Sequence, residues 1–262
     1  MTGVAQSAKP PEQSNLGKMV SESQLGMMLQ TPGVLDSGDA QLAQIRNLGL
    51  EPYILDLEVR GYTVIPPELV APTEFNARVR DTLLRLAEEK TGVKHSIGQS
   101  GNAGKQEALA YGGGIFAMLY LLFEDPVFEE WIENPVLGAL VNYTLKGQAR
   151  LSSLNSLVKW KDDSQLDQEF LDNALHSDSP RWPDGSLLDG GNLMINCAYT
   201  LTDYSKENGS IAMVPGSHKL GRLPYPGEGL KDMVPVDAPA GSLIFWKGAT
   251  WHGPAYPKLT DG

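Results

Sequence analysis

The sequence predicts a mainly β domain with flanking helices, a two-sheet sandwich or jelly roll, and three observations predict it. From about Lys146 onward the apolar residues fall into short runs divided by turn chemistry, ARLSSLNSLVKW, NLMINCAYTL, SIAMVPGS and SLIFW, the pattern of antiparallel strands. Helical periodicity lies upstream of these runs, so the helices are expected to pack on one face of the strands and not to alternate with them. A length of 262 residues with 41% hydrophobic composition suits one domain of this class with a sizeable core.

Taken in order, residues 1–45 are rich in Gln, Ser, Gly and Pro without sustained periodicity and read as a flexible arm, with 46–262 as the domain. Within the arm, Leu25 to Leu29 is a candidate docking helix. Leu55, Leu57 and Val59, then Gly61 to Ile65, read as a strand stopped by Pro66 and Pro67. In PTEFNARVRDTLLRLAEEKTG, Pro72 suits a first turn, Phe75, Val79, Leu83 and Leu86 recur at helical spacing, and Gly92 supplies the stop. Residues 96–114 are glycine-rich and read as a loop, either a lid or a plain surface connection. Ile115 to Phe123, Pro126 to Trp131 and Pro135 to Tyr143 read as helical. Asn208-Gly209 between two β runs is a hairpin signal, and Pro239-Ala240-Gly241 turns the chain into the last run.

Composition excludes several classes of function. Lys plus Arg number 21 against 32 Asp plus Glu, a formal net charge of −11 with no dense basic run, so nucleic acid and anionic membranes are disfavoured partners. Cys197 is the only cysteine, which rules out an intrachain disulfide and any multi-cysteine metal site. The longest apolar run, Ile115 to Phe123, is far short of the roughly 20 residues a spanning helix needs. With no signal-peptide pattern at its start, the chain reads as cytoplasmic. It offers no phosphate-binding glycine motif and no nucleophilic Ser-His-Asp arrangement.

Four histidines remain: His95, His176, His218 and His252. In an extended segment residues i and i+2 point to one side, so His176 and Asp178 converge. His252 follows the run Leu243 to Trp246, where a neighbouring strand brings it to the same place. Two imidazoles and one carboxylate on one face make a facial triad for non-haem Fe(II), which holds the ion and leaves positions open. Spacing alone leaves open the other role, that of ordinary structural residues.

The blocks LHSD, NCAYTLTDYSKENGSIAMVPGSHK and AGSLIFWKGATWHG resemble, in content and order, the phytanoyl-CoA dioxygenase family, with its H-x-D motif, its NG…VPGSHK block and its G-S-L…HG strand. The resemblance covers roughly residues 46–262, and the upstream GYTVIPPELV fits it. It implies a double-stranded β-helix, a jelly-roll variant, using Fe(II), 2-oxoglutarate and O2. His176, Asp178 and His252 become the expected iron ligands, and the implied reaction hydroxylates a C–H bond of a small molecule with release of succinate and CO2. Halogenating relatives replace the carboxylate ligand by a small residue, so the retained Asp178 favours hydroxylation.

Asn196 and Tyr199, read as alternating away from Cys197, are the candidate cofactor-binding residues, with core packing as the alternative. Trp182 matches a substrate-contacting Trp of the family's ectoine hydroxylases and is the candidate substrate contact, with packing at the barrel mouth as its other role. In the family pattern His218 belongs to a turn and does not bind iron, and His95 is expected to face solvent. The family's Arg, whose fork pairs with the far carboxylate of 2-oxoglutarate, falls just past Gly262, so the sequence is expected to be a C-terminally truncated piece. Lys258 or Arg150 are alternative cations, and Pro254 stands where the family has a small hydroxyl residue. Two competing readings keep the fold: a catalytically silent jelly-roll binding protein, and a cupin-like metal isomerase that works without O2. Substrate identity and oligomeric state are not written in the sequence.

Overall fold

A computed structural model of the protein describes residues 38–98, 110–111, 114–146, 149–161 and 174–260. The first described element is helix α1 (Gly38–Asn47), which buries Ile45. Helix α2 (Glu51–Arg60) has a proline in its first turn and ends where Gly61 turns left-handed at φ 87°, its N–H donating to the Leu57 carbonyl. Strand β1 (Tyr62–Ile65) follows directly, then the short helix α3 (Pro67–Val70). Helix α4 (Thr73–Thr91) buries Val79, Leu83 and Leu86 on one stripe and stops at left-handed Gly92. Strands β2 (Ala110–Tyr111) and β3 (Ile115–Met118) precede helix α5 (Val127–Ile132) and helix α6 (Pro135–Leu145). The Asn134 side chain caps α6 by accepting from the Val136 and Leu137 N–H groups. The remaining strands are β4 (Ser156–Lys159), β5 (Ile195–Tyr199), β6 (Ile211–Met213), β7 (Val234–Pro235), β8 (Leu243–Lys247) and β9 (His252–Ala255).

These strands form three antiparallel three-stranded sheets, ordered β1-β8-β5, β2-β3-β4 and β7-β6-β9. The first and third share a core: Tyr62, Ile244 and Trp246 from one meet Met213 of the other, with Val236 and Ala238 alongside. The opposite face of the first sheet, Ile65, Leu243 and Phe245, packs on Leu50, Leu57, Leu137 and Leu140 of the helical side. The second sheet meets α4 and α5 through Phe116, Met118, Val79, Leu83 and Phe128. Each such large buried side chain contributes about 1.5–3 kcal/mol of hydrophobic transfer energy.

Four expectations change. The fold class is mixed, with helices covering the sheets extensively, so "mainly β" understates the helical layer. Leu55 to Val59 lie in α2, because buried Leu50 and Leu57 and partly buried Ile54 fall at helical spacing while Leu55 and Val59 are exposed. Ile115 to Phe123 is not a helix: Ile115–Met118 pairs with β4, Tyr120 turns left-handed at φ 58°, and a 3-10 turn covers Leu121–Phe123. A nine-residue apolar run fits strand or helix equally, and the available partner strand decides. Asn208-Gly209 does form a turn, with Gly209 at φ 82°, yet β5 and β6 lie in different sheets, so it joins sheets and closes no hairpin. Helix α1, with Ile45 buried, begins within the segment read as the arm. Leu25 to Leu29 lies outside the described residues, as does most of the glycine-rich stretch.

Candidate metal centre

Three short pieces of chain bring His176, Asp178 and His252 together. His176 and His252 form an antiparallel bridge, each N–H donating to the other's carbonyl at 3.1 and 3.0 Å. The Gly248 carbonyl then anchors the H-S-D segment. It accepts from the Asp178 N–H (3.0 Å), the Ser179 N–H (3.3 Å) and the Ser177 hydroxyl (2.8 Å). Both glycines flanking this turn are there for close approach. A Cβ on Gly248 would sit 3.0 Å from Met194 and from Ser179 Oγ, and one on Gly253, at φ +88°, would meet the Ala174 carbonyl at 2.8 Å and His176 Cε1 at 3.2 Å.

With the backbone fixed, His176 Nε2 lies 3.6 Å from Asp178 Oδ1, and His252 Nε2 lies 2.9 Å from Asp178 Oδ2. The three ligand atoms lie within 4.8 Å of one another. The ring tautomers follow from the backbone. His252 Nδ1 is 2.8 Å from the Thr250 carbonyl and His176 Nδ1 is 3.0 Å from the Ala174 carbonyl. A carbonyl only accepts, so each Nδ1 carries a proton and Nε2 is the ring nitrogen turned toward the carboxylate. Two imidazole nitrogens and one carboxylate oxygen converging on one point are a donor set that suits a divalent transition ion. Hydrogen bonding from His252 is the largest influence holding the Asp178 carboxyl below its ordinary range; the two imidazole charges and the Asn196 amide reinforce it against burial.

The surroundings differ from side to side. The His252 side chain is 4% exposed, walled by the Trp246 ring at 5.5 Å in an edge-on contact, whereas the His176 side chain is 52% exposed. The cluster therefore has a protein-walled side and an open side. Asn196 Nδ2 donates to Asp178 Oδ2 at 2.6 Å. Tyr199 goes the other way, which corrects its expected placement: in a strand 195, 197 and 199 share a face, so Tyr199 lies with Cys197 against the helices, its ring near Phe75 and Trp131 and its hydroxyl buried without a partner among the described residues. Burial pushes the Cys197 thiol and the Tyr199 phenol each up to about 12.

Trp182 sits on a turn closed by its own N–H donating to the Ser186 carbonyl, with its side chain largely exposed and outside the cluster. His218 is buried in a 3-10 turn with Nε2 against the Glu58 carbonyl at 3.2 Å. His95 corrects its expectation as well: it is buried, 3.1 Å from the Thr91 hydroxyl and beside Trp160. Lys258 is buried and donates to Thr260, and Arg150 lines an open cleft of about 340 Å³ with Leu145, Asn192 and Leu193. Gly248, Gly253, Trp246 and the two tautomer-setting carbonyls are the parts that sequence reasoning missed. Only the glycines bracketing A-T-W-H carry a sequence signal.

The family model for phytanoyl-CoA dioxygenase (PhyH) matches residues 57–261. An uncharacterized protein of Mycobacterium tuberculosis, Rv1501, is 27% identical over 192 residues, 73% of this chain and 64% of its own. The dioxygenase af480 of Aspergillus fumigatus is 25% identical over 220 residues, 84% of this chain and 65% of its own. The chain thus spans about two thirds of the length of these relatives. Among solved structures, the epimerase SnoN in complex with Fe3+, alpha ketoglutarate and a nogalamycin compound superposes with TM-score 0.55 at 21% identity, covering 82% of this chain and 80% of that one. HygX of Streptomyces hygroscopicus, with nickel, 2-oxoglutarate and hygromycin B bound, gives TM-score 0.55 at 19% identity, covering 80% and 82%. Among the described residues no helix is long and apolar enough to cross a membrane.

Proposed function

The chain belongs to the phytanoyl-CoA dioxygenase family of iron- and 2-oxoglutarate-dependent oxygenases, and on that premise we propose that it hydroxylates a C–H bond of a small molecule on a double-stranded β-helix scaffold. His176 Nε2, His252 Nε2 and one oxygen of Asp178 are the proposed iron ligands. The convergence of these three groups on one point, each imidazole oriented by its own backbone acceptor, carries the reading. Iron, when bound with 2-oxoglutarate and O2, supplies the oxidising power for C–H cleavage, with succinate and CO2 as the cosubstrate's products.

The chain's own residues have defined tasks. The Ala174 and Thr250 carbonyls accept from each Nδ1–H, so Nε2 is the nitrogen each imidazole would offer the ion. Trp246 and the buried strand β8 exclude water on the His252 side, leaving access from the exposed His176 side. Asp178 keeps a carboxylate where a halide would otherwise sit, which favours hydroxylation over halogen transfer. Trp182, exposed on its turn, is the proposed substrate contact. Proteins of this fold solved with a nogalamycin compound or with hygromycin B bound support a small-molecule substrate for this chain too.

The test uses the full chain under anaerobic conditions. Fe(II) and 2-oxoglutarate together are expected to give a visible charge-transfer band, with His176→Ala abolishing it, and admission of O2 is expected to release succinate. A protein that isomerises a substrate without O2 and releases no succinate would be the cupin-like isomerase instead. No band and no metal uptake would leave the silent binding protein.

A further inference from the structure

We propose that Asn196 is a positioning residue of this centre, fixing Asp178 so that its carboxylate offers the ion a single oxygen. The proposal rests on the reading of His176, Asp178 and His252 as iron ligands. Asp178 has a fixed backbone, its N–H anchored on the Gly248 carbonyl, but its side chain is one-third exposed, and the terminal torsion of an Asp is broad and weakly restrained. Among the described residues, the carboxylate's side-chain partner apart from the two imidazoles is Asn196, whose Nδ2 reaches Oδ2 at 2.6 Å. A donor to an ionised acceptor at that distance is among the stronger hydrogen bonds a side chain makes. The amide must present its nitrogen, because two oxygens would repel.

Asn196 is itself held. It lies on β5 opposite Trp246 of β8, which in turn lies opposite Tyr62 of β1, so the three form one cross-strand row on the inner face. Trp246 stands edge-on to His252. Adjacent residues of one row therefore each touch one member of the triad, Trp246 the distal imidazole and Asn196 the carboxylate. A facial triad would hold the ion and keep positions open for cosubstrate and O2, and a carboxylate bound through both oxygens would occupy one of those positions. The Asn196 hydrogen bond engages Oδ2 and so opposes a turn of the carboxylate toward two-oxygen binding.

Co(II), an O2-stable stand-in, is titrated into wild type, Asn196→Leu and Asn196→Gln, with affinity read by calorimetry and coordination by the visible d–d spectrum. Asn196→Leu keeps the volume and removes the donor. It is expected to weaken Co(II) binding about 10–100-fold, to change the spectrum, and to weaken 2-oxoglutarate binding to the loaded protein, while the metal-free melting temperature holds. Asn196→Gln, which keeps an amide donor, is expected to recover part of the affinity. Should the Leu variant melt early, Asn196→Ala is held to the same expectations. Wild-type affinity and spectrum in the folded Leu or Ala variant, with wild-type binding still lost in His176→Ala, would overturn the role of Asn196 alone. Co(II) binding indifferent to His176→Ala would overturn the triad and this proposal with it.

Discussion

The two faces of the β1-β8-β5 sheet are made by the same strands and do opposite work. Toward the helices, Ile65, Leu243, Phe245, Cys197 and Tyr199 form an apolar layer against Leu50, Leu57, Trp131 and Leu140. Toward the other sheet, the row Tyr62, Trp246 and Asn196 reaches the triad, and Asn196 hydrogen-bonds to Asp178. One residue of register separates a position that stabilises the body from one that shapes the centre. The outer face can be scored by buried apolar area, whereas the inner face depends on the direction of single lone pairs and N–H groups.

The sharpest test of this division removes a ligand. His252→Ala or Asp178→Ala is expected to abolish metal binding and turnover while leaving the melting temperature of the metal-free protein close to that of wild type, since the imidazole–carboxylate contacts are partly exposed and such contacts add little to stability. Calorimetric metal titration beside a thermal melt checks both halves, and a large loss of metal-free stability would break the comparison. Phe245→Ala is the counterpart on the outer face. Phe245 is fully buried, so the cavity is expected to cost about 3–5 kcal/mol, read by urea denaturation, with metal affinity nearly unchanged in the fraction that stays folded.

Gly253→Ala falls between the two. Its φ of +88° and the Ala174 carbonyl 2.8 Å from a new Cβ predict about 1–3 kcal/mol of strain. Here the strain is placed on the strand that carries His252 and against the His176 ring. Metal affinity is expected to fall more steeply than stability, and the reverse order in parallel titrations and melts would show that the turn serves the fold alone.

What could be read in advance follows the same division. His176 and Asp178 were legible because a period of two puts i and i+2 on one side, and His252 because the H-G ending of the last block resembles a known family. Helix α4 was legible because its apolar stripe, its opening proline and its closing glycine all agree. The rest depends on partners remote in the chain. The carbonyls of Ala174 and Thr250 have no side-chain signature, although each lies two residues before its histidine. Gly248 and Gly253 are required by neighbours at Met194 and Ala174, which no local window contains. The run at Ile115 became a strand because β4 was there to receive it.

Tyr199 supplies the finest test, because it was expected at the cofactor and lies on the opposite face. Its hydroxyl is buried with no hydrogen-bond partner among the described residues, and its ring stands 6.3 Å from Phe75 and 5.9 Å from Trp131. Burying an unpaired hydroxyl costs about 1–3 kcal/mol, and replacing it by an apolar group of the same shape is neutral to stabilising. Tyr199→Phe is therefore expected to hold or slightly raise the melting temperature, with 2-oxoglutarate affinity unchanged. Asn196→Leu, three residues away on the same strand, is expected to weaken 2-oxoglutarate binding while its metal-free melting temperature likewise holds. A Tyr199→Phe variant that lost cosubstrate affinity would mean that the hydroxyl reaches across the sheet, and strand parity would then be the wrong guide to which residues serve the centre.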